Sequence, residues 1–114
     1  MSLEIVDSSE LVRSVGYAHS AATTAKAPIV INSKVYIPLN TEDADVRNAF
    51  VHEALIRGAA KTTGEAWSFG SALYWNDSTK KLTTTSSGNT LCGYALEAKL
   101  SGDTTGGLVH FRSF

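Results

Sequence analysis

A single cysteine leaves no internal disulfide available, so the core alone has to hold this chain. That residue, Cys92, stands in "NTLCGYAL" among apolar neighbours, where its expected part is that of a small buried hydrophobe. No apolar run approaches the roughly 18 residues of a membrane span, and the N-terminus lacks the basic-then-apolar order of a secretory leader. The expectation is a protein of a reducing cytoplasm with no membrane partner. An excess of basic charge is also missing. Ten Lys and Arg face eleven Asp and Glu, for a net charge of −1, which argues against non-specific or sequence-specific nucleic-acid binding driven by a broad positive field. Proline occurs twice, at Pro28 and Pro38, and both flank one apolar stretch.

What is present is turn chemistry and strand-forming residues. At 114 residues the chain makes one domain of ordinary size, able to bury about two-thirds of its unfolded surface. Residues 3–16 suit two short strands around "DSSE", with a turn of helix after Ser8 as the alternative. "HSAATTAKA" is small, polar and aperiodic, and reads as a loop. "PIVINSKVYIPL" is a hairpin signal: two β-branched runs around Asn32-Ser33-Lys34, with the prolines as breakers. From Gly64 onward, "SALYWN", "KLTTTS", "TLCGYAL" and "LVHFRSF" are short strands parted by "DSTK", "SGN" and "SGDTTGG". Such spacing marks an all-β, single-domain β-barrel or β-sandwich of short antiparallel strands. Residues 1–20 are expected as an N-terminal arm or edge strands, and 21–114 as a single β domain.

Residues 41–61 carry two readings. Acids at Glu42, Asp43 and Asp45, an apolar stripe through Val46, Phe50 and Leu55, and Gly58 at the end fit one short helix within 41–60. In the strand reading, Phe50, His52, Ala54 and Ile56 alternate with Val51, Glu53, Leu55 and Arg57. Periodicity supports both.

No set of residues completes a catalytic or cofactor motif. The histidines are His19, His52 and His110. "HEALI" places Ile56 where a helical zinc site needs its second histidine, so no metal ligands are assigned. The glycine loops "SGDTTGG" and "SSGNT" lack the lysine of a phosphate-binding loop, and no nucleophile elbow occurs. Glu97 and Asp103 read as surface charges, and Glu42, Asp43 and Asp45 as a solvated turn. No catalytic residue, cofactor or metal is therefore expected. One binding pattern deserves weighing. Trp67, Phe69, Tyr74 and Trp75 beside Lys80 and Lys81 could offer single-stranded nucleic acid a stacking platform on a β-barrel.

The run from Gly64 to Phe114 resembles a family of small tailed-phage capsid cement, or decoration, proteins. The resemblance rests on Gly70, the aromatic strand through Tyr74-Trp75-Asn76, Lys80-Lys81, and the threonines Thr83 to Thr85. It continues through Gly88-Asn89, Gly93, "ALEA" at 95–98, "SGD" at 101–103 and Arg112. Asn76 replaces the family's usual Asp, and Ala44-Asp45 its usual Gly-Glu. Aligning the middle of the chain with the family makes residues 48–58 a strand, which we adopt. The resemblance implies a non-enzymatic virion protein that travels from the host cytoplasm to the capsid surface. There it binds the major capsid protein as a homotrimer, with the N-terminal arm the first place to seek contacts; no capsid-binding residue is named by it. The recombinase label often attached to such sequences finds no nucleotide-binding loop here.

The cement and single-strand readings part at Trp75. We expect Trp75→Ala to cost about 3–5 kcal/mol of stability, the price of emptying a core site, measured by urea unfolding. A stacking role predicts instead a folded variant that loses a salt-sensitive affinity for single-stranded DNA.

Overall fold

In the computed structural model, residues 3–6 and 12–114 are described. Nine strands follow in order: β1 (Glu4–Ile5), β2 (Arg13–Ala18), β3 (Ile29–Ile31), β4 (Lys34–Pro38), β5 (Arg47–Arg57), β6 (Ala72–Asn76), β7 (Lys81–Thr83), β8 (Thr90–Ala95) and β9 (Val109–Arg112). Every ladder is antiparallel. The main path runs β3-β4-β5-β9-β8-β6-β7, with β1 and β2 attached to β5. The sheet curls into a half-barrel, which places the fold between the barrel and sandwich expected. The "DSSE" segment falls outside the described residues.

The short helix weighed for residues 41–60 does not form, and among the described residues there is no helix. That segment is β5, eleven residues long. Its sheet partners override its local preference. Val51 is opposite both Ser14 of β2 and Ile37 of β4; Glu53 is opposite both Arg13 of β2 and Arg112 of β9; Ile56 is opposite both Ile5 of β1 and Val109 of β9. One edge of β5 therefore holds β1 and β2, and the other holds β4 and β9. A strand paired along both edges satisfies its backbone as fully as a helix would.

The register slips between Arg13 and Ser14, whose partners are Glu53 and Val51, so His52 is an extra residue in β5. Such a bulge shifts the alternation of faces. Val51, Ala54 and Ile56 all join the core, whereas Phe50, equally buried, packs on the opposite face against Tyr36. The strict alternation of Phe50 with His52, Ala54 and Ile56 holds only on the C-terminal side of the bulge.

The hairpin over residues 29–38 closes as its sequence suggests. Asn32 and Ser33 both have positive φ, at 49° and 65°, the geometry of a two-residue turn that matches strand twist. At the β6–β7 turn, the Asn76 side chain accepts hydrogen bonds from the Ser78 and Thr79 amides at 3.0 and 3.1 Å. The core gathers Val35 and Ile37, Leu73 and Trp75, Leu82, Cys92, and Val109 and Phe111, with burial alternating along β6 and β9. Cys92 is buried as expected, and burial pushes its thiol pKa up to about 12, leaving it in the inert protonated form.

Gly93 sits where β8 presses on β9. A β-carbon there would collide with the His110 backbone carbonyl. Gly93→Ala is therefore expected to lower stability by about 3 kcal/mol, near the top of the ordinary range for one substitution, read from the midpoint of urea unfolding.

Candidate functional site

The described residues offer surfaces, not a reaction centre. No group of three His, Cys, Asp or Glu side chains converges on a possible cation site among them. His110 Nε2 lies 2.9 Å from Glu53 Oε2, while His19 packs against Phe50 with ring centroids 6.5 Å apart. Glu97 and Asp103 brace separate loops. Glu97 accepts hydrogen bonds from Arg57 and the Leu108 amide, and Asp103 from the Leu100 amide at 2.8 Å.

The aromatics expected to act together are divided by the fold. Trp67 and Trp75 are buried, Tyr74 is half-buried, and Phe69 projects into solvent. The indole N–H of Trp75 donates to Asp77 Oδ1 at 3.2 Å, and Asp77 is held in turn by Lys80 Nζ at 2.8 Å. Both contacts hold the Asp77 carboxyl below the usual carboxylate range, the lysine bond most strongly. Lys80 is thus engaged in fixing a turn.

Sequence reasoning missed a polar clasp between Lys61 and Glu65. Lys61 is almost wholly buried, and its ammonium donates to the carbonyls of Thr62 at 3.0 Å, Glu65, and Asp103 at 3.4 Å. The Trp67 ring lies 5.7 Å away as a cation–π partner. Burying an ammonium is tolerable only with its donors satisfied, and these carbonyls do that. Glu65 faces the other way. Its carboxylate accepts from Thr83 Oγ1 at 2.8 and 2.9 Å, the Thr84 amide at 2.8 Å and Thr85 Oγ1 at 3.0 Å. The threonine run, read as one strand, leaves the sheet after Thr83 to wrap this carboxylate. The "TTT" run at 83–85 was the only signal in the sequence, and nothing local ties it to Glu65, 18 residues away.

Two exposed regions remain for binding. The first is β2, exposed along its whole length, with Val15 and Tyr17 at 50% and 48% accessibility. Beside it a groove of about 240 Å³ is lined by Val15, Gly16, Tyr17, Ile31, Tyr36 and Phe50. Tyr17 and Tyr36 meet Phe50 edge-on, at centroid distances of 6.0 and 6.5 Å. The Arg47 guanidinium lies over Gly16, in the space a β-carbon would take. The second region is formed by the loops bearing Phe69 and Leu100, joined by the Trp67–Lys99 bridge.

Across the outer face, Glu53 joins three strands. Arg13 Nε approaches its carboxylate at 3.4 Å from β2, and His110 at 2.9 Å from β9. The His110 hydrogen bond, ahead of the opposing effect of burial and aided by the charges of His110, Arg112 and Arg13, holds the Glu53 carboxyl below its ordinary pKa.

Burial alone would raise the Glu65 pKa, but the hydrogen bonds from Thr84, Thr83 and Thr85 outweigh it and the pKa is lowered. A carboxyl depressed on folding stabilises the protein above its unfolded pKa, and that stability is lost as pH falls through the folded value. Glu65→Gln is expected to cost about 1–2 kcal/mol at neutral pH. It should also flatten the acid limb of a stability profile measured by urea unfolding between pH 7 and pH 3.

Comparison with known proteins returns a family model described as phage cement protein, matching residues 6–110. No curated protein and no solved structure gives a match.

Proposed function

As a member of the phage cement protein family, this chain has a structural, capsid-associated role in the virion, and we propose that it acts on the outside of the assembled shell, without catalysis, to brace it against internal pressure. The observation that carries this reading is the family match over nearly the whole chain. The architecture supports it. A sheet curled over a dense core, with loops tied down by Lys61, Glu65 and Asn48, offers stiffness. The Asn48 side chain donates to Thr23 Oγ1 at 3.1 Å and the Asn40 carbonyl at 2.7 Å, fastening two loops to β5.

The partner in this proposal is the major capsid protein, engaged by homotrimers set at three-fold positions, the arrangement the sequence resemblance implies. In this proposal residues 1–20, which contribute β1 and β2 as edge strands beside β5, supply part of the contact. The protein waits in the host cytoplasm until a shell is available. Within a trimer, docking of one protomer raises the effective concentration of shell sites for the other two, so modest individual contacts add to a large total.

Quantitative mass spectrometry of purified particles of the parent phage tests the proposal. The expected result is a copy number close to that of the major capsid protein. Absence from particles, with the protein abundant in infected cells, would refute a place in the virion.

A further inference from the structure

β2 has a partner on one side only. Its six residues pair with β5, and among the described residues no strand lies along its outer edge. An open edge presents a row of unpaired N–H and C=O groups, which stable monomers normally blunt with charge, proline or a covering loop. In β2 the central residues are Ser14, Val15, Gly16 and Tyr17, with the only charge at Arg13. Arg13 itself is turned back to Glu53.

The two faces of this edge differ in chemistry. Val15 and Tyr17 line a mainly apolar groove with Ile31, Asn32, Tyr36 and Phe50. On the Gly16 side lies the Arg47 guanidinium, which makes no ion pair among the described residues. A strand added here would set apolar side chains toward the groove and a carboxylate toward Arg47, alternating as side chains on a strand do.

We infer that the outer edge of β2 is a docking edge, which takes by β-augmentation an extended segment of the shell subunit carrying alternate apolar residues and a carboxylate. The inference rests on the shell-binding reading above and names its surface. The charge pattern disfavours a symmetric pair of β2 edges as the occupant. Pairing β2 with itself about a two-fold axis sets the Arg47 guanidinium over Gly16, at mid-strand, against its own mate. The β3–β4 hairpin, the other open edge of the main path, carries Lys34 and no carboxylate. At the far end of the path, the outer side of β7 is taken by residues 60–62, through hydrogen bonds between Leu82 and both Ala60 and Thr62. We assign the acidic strand to the shell subunit, the partner in the reading above.

The test uses the full chain, fluorescently labelled, and shells of the parent phage assembled without it. Wild type is compared with Val15→Lys, which charges the groove, and Arg47→Glu, which reverses the guanidinium. Leu100→Ser, in the other exposed region, is the control. Both β2-edge variants change exposed side chains, and thermal melting confirms that each is folded; if one is not, the other decides. The expected result is wild-type and control binding in co-sedimentation, with affinity reduced about tenfold or more in the edge variants. Binding of both variants within twofold of wild type overturns the docking edge and leaves the shell-binding reading intact. Failure of wild type to bind overturns both. Loss of a solution oligomer in the variants, seen by sedimentation velocity with shell affinity unchanged, assigns the edge to a second copy and overturns the inference.

Discussion

The two-sided pairing of β5 is the constraint on which the rest of this structure depends. One strand collects β1 and β2 along one edge and β4 and β9 along the other. It thereby joins the N-terminal segment, the β3–β4 hairpin and the C-terminal strand into one sheet. The bulge at His52 lets this strand serve two cores. Beyond it, Ala54 and Ile56 fill the main interior; before it, Phe50 seats a smaller aromatic cluster with Tyr17 and Tyr36 on the outer face. A regular strand could not bury Phe50 and Val51 against different partners while keeping Ala54 and Ile56 on the side of Val51. The outer cluster is what shapes the groove beside β2, so the exposed surface of interest follows from a single extra residue in the strand behind it.

Rigidity away from the strands comes from buried polar groups with their bonds made. Lys61 gathers backbone carbonyls from its own loop and from Asp103, and Glu65 gathers the threonines at the end of β7 and just beyond it. Asn48 does the same for the loops near Thr23 and Asn40. In each case a polar side chain near or within the core replaces what a further layer of secondary structure would supply. The bonds are directional, so they fix loop geometry in a way that apolar burial, which is indifferent to orientation, does not. A body of this kind keeps its outline under load, which suits a member of a cement protein family.

The same construction explains why the binding surface is hard to recognise. Chemistry in an enzyme leaves motifs, because a reaction needs particular groups at particular spacings. A contact surface needs only an available edge and complementary relief. Val15, Tyr17, Tyr36 and Phe50 come from three strands and mean nothing as a sequence pattern; Arg47 reaches Gly16 only because β2 lies beside β5.

The sequence by itself determined the class of fold and most of its turns. The Asn32-Ser33 hairpin, the "NDST" turn, the burial of Cys92 and the strands from Ala72 to Arg112 were all legible, because turn residues and β-branched runs act over a few positions. The family was legible too, from the motif run after Gly64. Tertiary structure decided what the local residues left open. It made β5 a strand, as the family resemblance had indicated for residues 48–58, because partners on both edges outweighed a local helical preference. It sent Trp67 and Trp75 inward while leaving Phe69 outside, because pairing and loop path, not clustering in sequence, set which aromatic rings meet solvent. It also joined Glu65 to Thr83, Thr84 and Thr85 and, among the described residues, left the outer edge of β2 unpaired. Each of these is a long-range pairing, and residues far apart in the chain carry no local sign of whom they will meet.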